Sequence, residues 1–229
     1  MRCTPVPTVI GVPANIYWQA LTKASNACAS ITSTFFTITG PIQKTPLEET
    51  MGALDHAVRQ GKALYAGISN YGPEETRQAV PVLRKLGTPC IIHQLIYNMF
   101  NRGIEKGLTA VLEEENIGSI AFCPLAQGQL TDRYLRDIPK DSRATREYFL
   151  RSGEVQKNLP LVRALNALAE KRGQSLAEMA LAWVLRQPAV TSALIGASSI
   201  AQLDTNVKTL DRLDFSPEEL TEIEKILAS

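Results

Sequence analysis

A strand-then-helix pattern that occurs four times along the chain constrains the fold more than any other feature. Four short apolar runs each end in small or polar residues, and a helical pattern follows each of them: residues 63–68, 90–94, 119–122 and 192–195. Strands joined in this way through helices pair in parallel with right-handed connections. In such sheets the functional groups gather at the carboxyl ends of the strands. The sequence therefore predicts an α/β fold with its site at those ends.

The clearest of these units is the stretch KALYAGISNY, residues 62–71. Residues 63–68 are apolar throughout, which is typical of a strand buried on both faces. Gly67 leaves room for a neighbouring backbone or a ligand to approach closely. Ser69 and Asn70 follow directly, so we expect both side chains at the functional edge of the sheet.

Local signals mark where the helices begin and where regular structure is interrupted. Three pairs have the spacing of a capping box: Thr45 with Glu48, Ser175 with Glu178, and Ser216 with Glu219. Pro81 falls inside a helical pattern, and we expect it to kink or split that helix. The charged stretch over residues 129–158 has no clean period, which predicts a lid or binding loop, or else a disordered segment.

Size, charge and cysteine content narrow the classes of protein. The chain has 229 residues and a formal charge of +1, which does not favour nucleic acid or an anionic membrane as a partner. None of its apolar runs is long enough to span a bilayer. The four cysteines show no CxxC spacing. We therefore expect a soluble cytoplasmic protein with reduced thiols and no metal site.

Residues 1–44 differ in composition from the rest of the chain. They contain no Asp, Glu or His, and their only charged residues are Arg2, Lys23 and Lys44. Because apolar and polar residues follow no period there, we interpret the segment as irregular and loop-like. The regular part, residues 45–229, has material for only about half of a (β/α)₈ barrel, which needs about 250 residues.

Five motifs in this order and spacing resemble the aldo-keto reductases: GISNY, IIHQLIYN, AFCPLAQGQLTDRY, IPKDSR and LIGASSIAQLDTNV. Within that family they look like the bacterial branch that reduces glyceraldehyde 3-phosphate, which also resembles the potassium-channel β subunits. The resemblance implies a partial TIM barrel, made of about the C-terminal four βα units over residues 45–229. It also implies NADPH as cofactor and a small aldehyde as substrate of the intact parent protein.

The same resemblance assigns residues to parts of the cofactor. Ser69, Asn70 and Gln94 would hold the nicotinamide carboxamide, and the ring of Phe122 would stack on the nicotinamide. The cofactor backbone would be followed by Cys123, Leu125, Ala126 and Gln127. Its phosphates would be approached by Arg133 and Arg143. The adenosine end would be held by Gly196, Ser198, Gln202 and Asn206.

The catalytic tetrad that the resemblance implies, Asp, Tyr, Lys and His, is absent from this chain, so we predict no catalytic residues. The His belongs at the end of a strand just before Thr45, where this chain has FFTITGPIQ. If the bases of codons permitted for residues 31–44 are read in a shifted frame, they can encode a peptide that resembles the family's fourth strand. The codon of Thr39 would then supply the His. We hypothesise that residues 1–44 are translated out of frame.

Three functions remain open from the sequence. The chain is an aldo-keto reductase that has lost turnover, a regulatory or interaction module that binds NADP(H) without turnover, or a fragment with no function. His93, beside Gln94, is expected to be a packed residue of the barrel and not a catalyst. Cys123 is expected to fill a slot for a small residue near the cofactor.

Overall fold

The computed structural model describes residues 33–41, 45–135 and 152–229. The strands of these residues are β1 (Ser33–Thr39), β2 (Ala63–Ser69), β3 (Cys90–Ile96), β4 (Gly118–Phe122) and β5 (Ser192–Leu194). The helices are α1 (Leu47–Arg59), α2 (Pro73–Leu86), α3 (Leu108–Glu115), α4 (Ser152–Lys171), α5 (Leu176–Leu185), α6 (Ile200–Lys208) and α7 (Pro217–Ala228). Short 3₁₀ helices lie at Gly103–Glu105, Ala126–Gly128, Asp132–Tyr134 and Thr209–Asp211.

The strands form one sheet in the order β1-β2-β3-β4-β5, so strands that are consecutive in the chain are neighbours. β1 pairs in parallel with β2, and β2 pairs in parallel with β3. The register sets Thr39 opposite Ser69 and Ser69 opposite Gln94. The carboxyl ends of these three strands therefore lie side by side, as the strand-then-helix pattern predicts.

The chain divides into two compact units. The first contains the described residues up to 95 together with residues 104–120, and the second contains residues 96–103 and the described residues from 121 onward. In the first unit α1 packs against β1, β2 and α2. Met51, Leu54 and Leu83 of these helices are fully buried, and so is Ile68 of β2. These side chains form the core on which the strand ends rest.

The second unit is built around Trp183 of α5, whose side chain is fully buried. Its ring centroid lies 5.1 Å from that of Tyr97. The guanidinium groups of Arg102 and Arg186 lie 5.3 Å and 4.2 Å from the Trp183 centroid, within the range of a cation–π contact. The helix α4 packs against α5 and against α7, and Ile223 of α7 is buried.

Two of the three capping boxes predicted from the sequence are confirmed. Ser175 and Ser216 each accept a hydrogen bond from the backbone of the Glu three residues later, and that Glu bonds back to the cap. The box at Thr45 is wrong. Helix α1 begins at Leu47 with Pro46 as its N-cap, so Glu48 lies one position too early and no side chain caps the helix.

The loop-like interpretation of residues 1–44 is wrong for residues 33–39, which form β1. Pairing with β2 supplies the backbone hydrogen bonds that the local pattern did not reveal, and Ile38 is buried. Residues 1–32 and 42–44 lie outside the described residues. Helix α4 likewise begins at Ser152, inside the stretch expected to be a loop, and residues 136–151 of that stretch are not described.

Two further expectations concern Pro81 and β2. Of the kink or split expected at Pro81, the split is wrong, because α2 continues from Pro73 to Leu86 through this residue. The expectation for β2 is also wrong. β2 is not buried along its whole length, since Leu64 is 57% exposed and Tyr65 is 46% exposed. Burial on both faces needs a covering layer on each side of the sheet. The described strands form an open sheet that ends at β1 and β5.

Gly67 lies where β2 and β3 shift register, and its missing side chain permits close packing. A Cβ atom at Gly67 would come within 2.5 Å of Cγ2 and 2.8 Å of the backbone oxygen of Ile92, and within 2.9 Å of Cγ2 of Thr37. Because a backbone atom cannot move aside cheaply, we expect Gly67→Ala to lower the free energy of unfolding by about 1–3 kcal/mol. Urea denaturation measures this change.

The matched control is Gly52→Ala in α1, where an added Cβ atom meets nothing within 4 Å. Because alanine is favoured over glycine inside a helix by about 0.5–1 kcal/mol, this variant should be slightly more stable than the wild type. Equal urea midpoints for the two variants would show that the packing around Gly67 does not matter.

Candidate cofactor-binding site

Three of the residues predicted to bind the cofactor lie together at the strand ends of the first unit. Ser69 ends β2, is 2% exposed and lies opposite Gln94 of β3. The backbone N–H of Asn70 donates to the backbone oxygen of Gln94 over 3.0 Å. Asn70 is exposed and adopts a left-handed conformation with φ 54°, which asparagine tolerates better than most residues. The Asn70 and Gln94 side chains offer amide donors and acceptors at this edge.

The loop after β4 carries the next group of predicted residues, all in the second unit. Phe122 and Leu125 are half-buried. Cys123, Ala126 and Gln127 have positive φ values of 53°, 46° and 59°. A left-handed backbone costs a residue other than glycine about 1–2 kcal/mol, and such strain concentrates at functional sites. The loop is held by hydrogen bonds within itself, such as the 2.9 Å bond from the Ala126 N–H to the Cys123 oxygen.

Asn98, just after β3, fixes this loop and was not singled out from the sequence. It is 3% exposed, and its side-chain amide donates to the backbone oxygen of Cys123 over 3.0 Å. Its side-chain oxygen accepts from the N–H groups of Phe100 and Asn101 at 3.0 Å and 2.9 Å. A buried amide with three partners holds the strained backbone in place. The available signal was a polar residue at the end of an apolar strand, inside the motif IIHQLIYN.

The predicted adenosine-end residues lie where β5 leads into α6. The N–H and the hydroxyl of Ser198 both bond to the side-chain oxygen of Gln202, over 2.8 Å and 3.0 Å. Ser199 caps α6 by accepting from the Gln202 N–H at 3.2 Å. Gly196 is exposed and Asn206 is half-buried. Small polar side chains therefore gather at the start of a helix, where backbone N–H groups favour anions.

The two arginines predicted to reach phosphates are not equally placed. Arg133 is exposed on the 3₁₀ helix Asp132–Tyr134, and its backbone N–H donates to the Thr131 hydroxyl over 3.2 Å. Arg143 lies outside the described residues. Among the predicted residues of the first unit, Ser69, Asn70 and Gln94 lie together at the strand ends.

The second unit also contains a cleft of about 580 Å³ that none of the predicted site residues lines. Met99, Phe100, Arg102, the first half of α4 and the end of α7 form its walls. Arg102 is paired there with Glu224 over 2.6 Å, and Lys157 and Glu154 also line the cleft. Charges of both signs give it no preference for an anionic or a cationic ligand.

His93 is a packed residue of the strand interior, as expected. It is fully buried, and its Nε2 lies 3.1 Å from the backbone oxygen of Tyr71. Burial lowers the pKa of His93 to about 4, so the ring is neutral near pH 7. Burial also raises the pKa of the Cys90 thiol to about 11, which makes it an unreactive thiol. The described residues include no cluster of three His, Cys, Asp or Glu that could hold a metal ion.

Comparison with known proteins identifies the family. The model of the aldo/keto reductase family matches residues 34–228. The chain belongs to this family. It is 50% identical to the L-glyceraldehyde 3-phosphate reductase of Escherichia coli strain K12, over 192 residues that cover 81% of this chain and 56% of that protein. The same enzyme from Escherichia coli O157:H7 is 49% identical with the same coverage.

Solved structures have a similar fold. A glycerol dehydrogenase from Gluconobacter oxydans superposes with a TM-score of 0.76 at 29% identity, over 94% of this chain and 64% of that one. A thermostable aldo-keto reductase superposes with a TM-score of 0.72 at 21% identity, over 94% and 68%. This family member therefore has the expected α/β fold, in an open sheet, and spans little more than half the length of its curated relatives. No described helix has the length and apolarity to cross a membrane.

The buried neutral ring of His93 predicts that acid destabilises the chain. An unfolded histidine has a pKa of about 6.5, while burial lowers the pKa of His93 to about 4. The unfolded chain therefore takes up this proton first as the pH falls. The contribution of His93 to stability is complete above about pH 6.5 and decreases down to about pH 4, by up to about 3 kcal/mol.

Urea denaturation at several pH values tests this effect. The variant His93→Gln should lose less stability than the wild type between pH 6.5 and pH 4. The only other histidine, His56, is exposed on α1, so His56→Gln should keep the wild-type slope. If His93→Gln and the wild type had equal slopes, a neutral buried ring could not be the cause.

The position of Asn98 generates a second prediction for this site. Asn98→Ala removes the three hydrogen bonds of a buried amide, each worth about 1 kcal/mol. We expect the free energy of unfolding to fall by about 2–3 kcal/mol. Asn101→Ala is the control, because Asn101 is exposed and its side-chain oxygen accepts a long 3.5 Å hydrogen bond from the Gly103 N–H. Comparable losses in the two variants would contradict the anchoring role of Asn98.

Proposed function

We propose that this chain binds NADPH and does not turn over an aldehyde by itself. The proposal starts from the family membership and from the similarity to an L-glyceraldehyde 3-phosphate reductase. It then assigns the binding of NADPH to residues of this chain. The observation that carries it is the strained loop after β4, in which three non-glycine residues within five positions have positive φ. A buried amide and internal hydrogen bonds maintain this costly backbone, which is typical of a ligand-binding loop.

Each unit, taken by itself, offers side chains that suit one part of a nicotinamide dinucleotide. Asn70 and Gln94 can pair with a carboxamide, which both donates and accepts hydrogen bonds. The half-buried ring of Phe122 offers an aromatic surface to a flat heterocycle. Ser198 and Gln202, at the start of α6, can hold an anionic or ribosyl group. When bound, the cofactor would supply a hydride for an aldehyde such as glyceraldehyde 3-phosphate.

The absence of turnover follows from what stands at the end of β1. Reduction of an aldehyde needs a proton donor for the carbonyl oxygen. Thr39 ends β1, opposite Ser69, and is 7% exposed. A threonine hydroxyl is too weak an acid to act as the proton donor for a carbonyl oxygen near pH 7. We propose that aldehyde reduction belongs to a longer protein that carries the tetrad, and that this chain, placed in the cytoplasm, retains the binding part.

Two measurements on the purified chain test the proposal. The first titrates NADPH and follows its fluorescence to detect binding. The second measures NADPH oxidation in the presence of glyceraldehyde 3-phosphate. We expect saturable binding and no oxidation above the buffer rate. Gln94→Leu should weaken binding about tenfold, which corresponds to about 1.4 kcal/mol. Gln78→Leu, on the exposed side of α2, should leave the affinity unchanged.

Each alternative gives a different result in this experiment. Oxidation that depends on the aldehyde would show an active reductase and contradict the loss of turnover. Failure of NADPH to bind, in a chain that unfolds cooperatively, would contradict the binding site and favour a fragment without function.

A further inference from the structure

The loop after β4 is attached near both of its ends to side-chain amides of other elements. The loop spans residues 123–128, and four of these six residues have positive φ. At its start, the Asn98 amide donates to the backbone oxygen of Cys123 over 3.0 Å. Just beyond its end, the Asn158 amide of α4 donates to the side-chain oxygen of Gln129 over 2.9 Å. The loop is therefore held between the turn after β3 and the helix α4.

Both attachments are protected from water. Asn98 and Gln129 are each 3% exposed, and Asn158 is half-buried. Bonds within the loop, such as the 2.9 Å bond from the Gly128 N–H to the Leu125 oxygen, give the loop its shape. They cannot fix where the loop lies relative to the strands and helices. The two amides can, because their donors belong to other elements.

The Asn98 donor is itself rigidly placed. Its side-chain oxygen accepts from the N–H groups of Phe100 and Asn101 at 3.0 Å and 2.9 Å. The backbones of Asn98 and Asn101 also exchange two hydrogen bonds, at 3.1 Å and 3.0 Å. Arg102 follows directly and lies 5.3 Å from the centroid of the buried Trp183 ring. A donor on such a turn bonds to the Cys123 oxygen in only a narrow range of loop positions.

The position of this loop matters for a ligand because the loop carries four of the residues assigned to the cofactor backbone: Cys123, Leu125, Ala126 and Gln127. Left-handed backbone is unfavourable for the three of them that have positive φ. A loop released from its attachments would therefore spend time in other conformations. A ligand that fits one conformation then binds less tightly, in proportion to the fraction of the chain that still has it.

We propose that Asn98 and Asn158 are positioning residues for NADPH. Neither contacts the cofactor, and both hold the loop after β4 in the conformation that binds it. This inference rests on the proposed function and deepens it, since it adds two residues that were not assigned to the site. Loss of either amide weakens NADPH binding about tenfold, which corresponds to about 1.4 kcal/mol.

Asn98→Asp separates the loop from the turn. Aspartate has nearly the same shape and keeps an oxygen that accepts from Phe100 and Asn101, but it turns an oxygen toward the Cys123 oxygen where the amide donates. Titration of NADPH fluorescence at pH 8, far above the usual aspartate pKa of about 3.9, should show the tenfold loss. Asn101→Asp is the matched control. It adds the same charge to the same turn and keeps an acceptor for the Gly103 N–H, so the affinity should not change.

Asn158→Leu tests the other attachment without a change of charge. It removes the donor to Gln129, and NADPH affinity should again fall about tenfold. Asn166→Leu is its control, because Asn166 is also half-buried on α4 and donates one side-chain bond, over 2.8 Å to Glu170 of the same helix. That bond does not reach the loop, so this variant should bind NADPH as the wild type does.

Hydrogen exchange of the unbound chain distinguishes positioning from general stabilisation. In Asn98→Asp and Asn158→Leu, we expect the amides of residues 123–130 to exchange about tenfold faster, because the loop opens locally. The amides of α5 should keep the wild-type rate. Equal acceleration in the loop and in α5 would show that the two amides only stabilise the unit as a whole, and it would overturn the proposal.

The titrations distinguish this inference from the proposed function. A wild-type chain that binds NADPH, together with two anchor variants that bind it equally tightly, would overturn the positioning role and leave the proposed function standing. A wild-type chain that does not bind NADPH would overturn both. An affinity loss in Asn101→Asp equal to that in Asn98→Asp would assign the effect to charge and would also overturn the positioning role of Asn98.

Discussion

Parallel pairing of β1, β2 and β3 is the constraint on which the rest of the first unit depends. The register aligns Thr39, Ser69 and Gln94, so three residues distant in the chain become neighbours at one edge. Close approach at Gly67 permits this register, because a larger residue would meet Ile92 and Thr37. Backbone pairing and core packing thus position the polar residues at this edge. This positioning does not require bonds between their side chains.

The second unit positions its polar groups differently. The loop after β4 has no ladder to hold it, and it includes three residues in the left-handed region. Asn98 compensates by bonding the Cys123 oxygen from a buried position, and the loop closes on itself through backbone hydrogen bonds. A strained loop fixed by a buried amide keeps one conformation, which lowers the entropy lost when a ligand binds. Such pre-organisation suits the recognition of a large cofactor.

Much of this could be predicted from the sequence, and the errors share a physical cause. The capping boxes at Ser175 and Ser216 depend only on residues three positions apart, so local pattern was sufficient. β1 was missed because its stability comes from pairing with β2, about 30 residues away. Asn98 was missed because its importance arises from Cys123, 25 positions along the chain. These two local interactions were predictable and the two that the fold creates were not, although the failed capping box at Thr45 was also a local prediction.

The helix α6 places the proposed adenosine end on an element that packing holds only weakly. It carries Gln202 and Asn206, which the proposed function assigns to that end, and none of its nine residues is buried. Its start is fixed locally, because Ser199 caps the helix and Ser198 bonds to the side chain of Gln202. A helix of this length is marginal in water without packing, so a ligand that pairs with Ser198 and Gln202 would stabilise the helix as it binds.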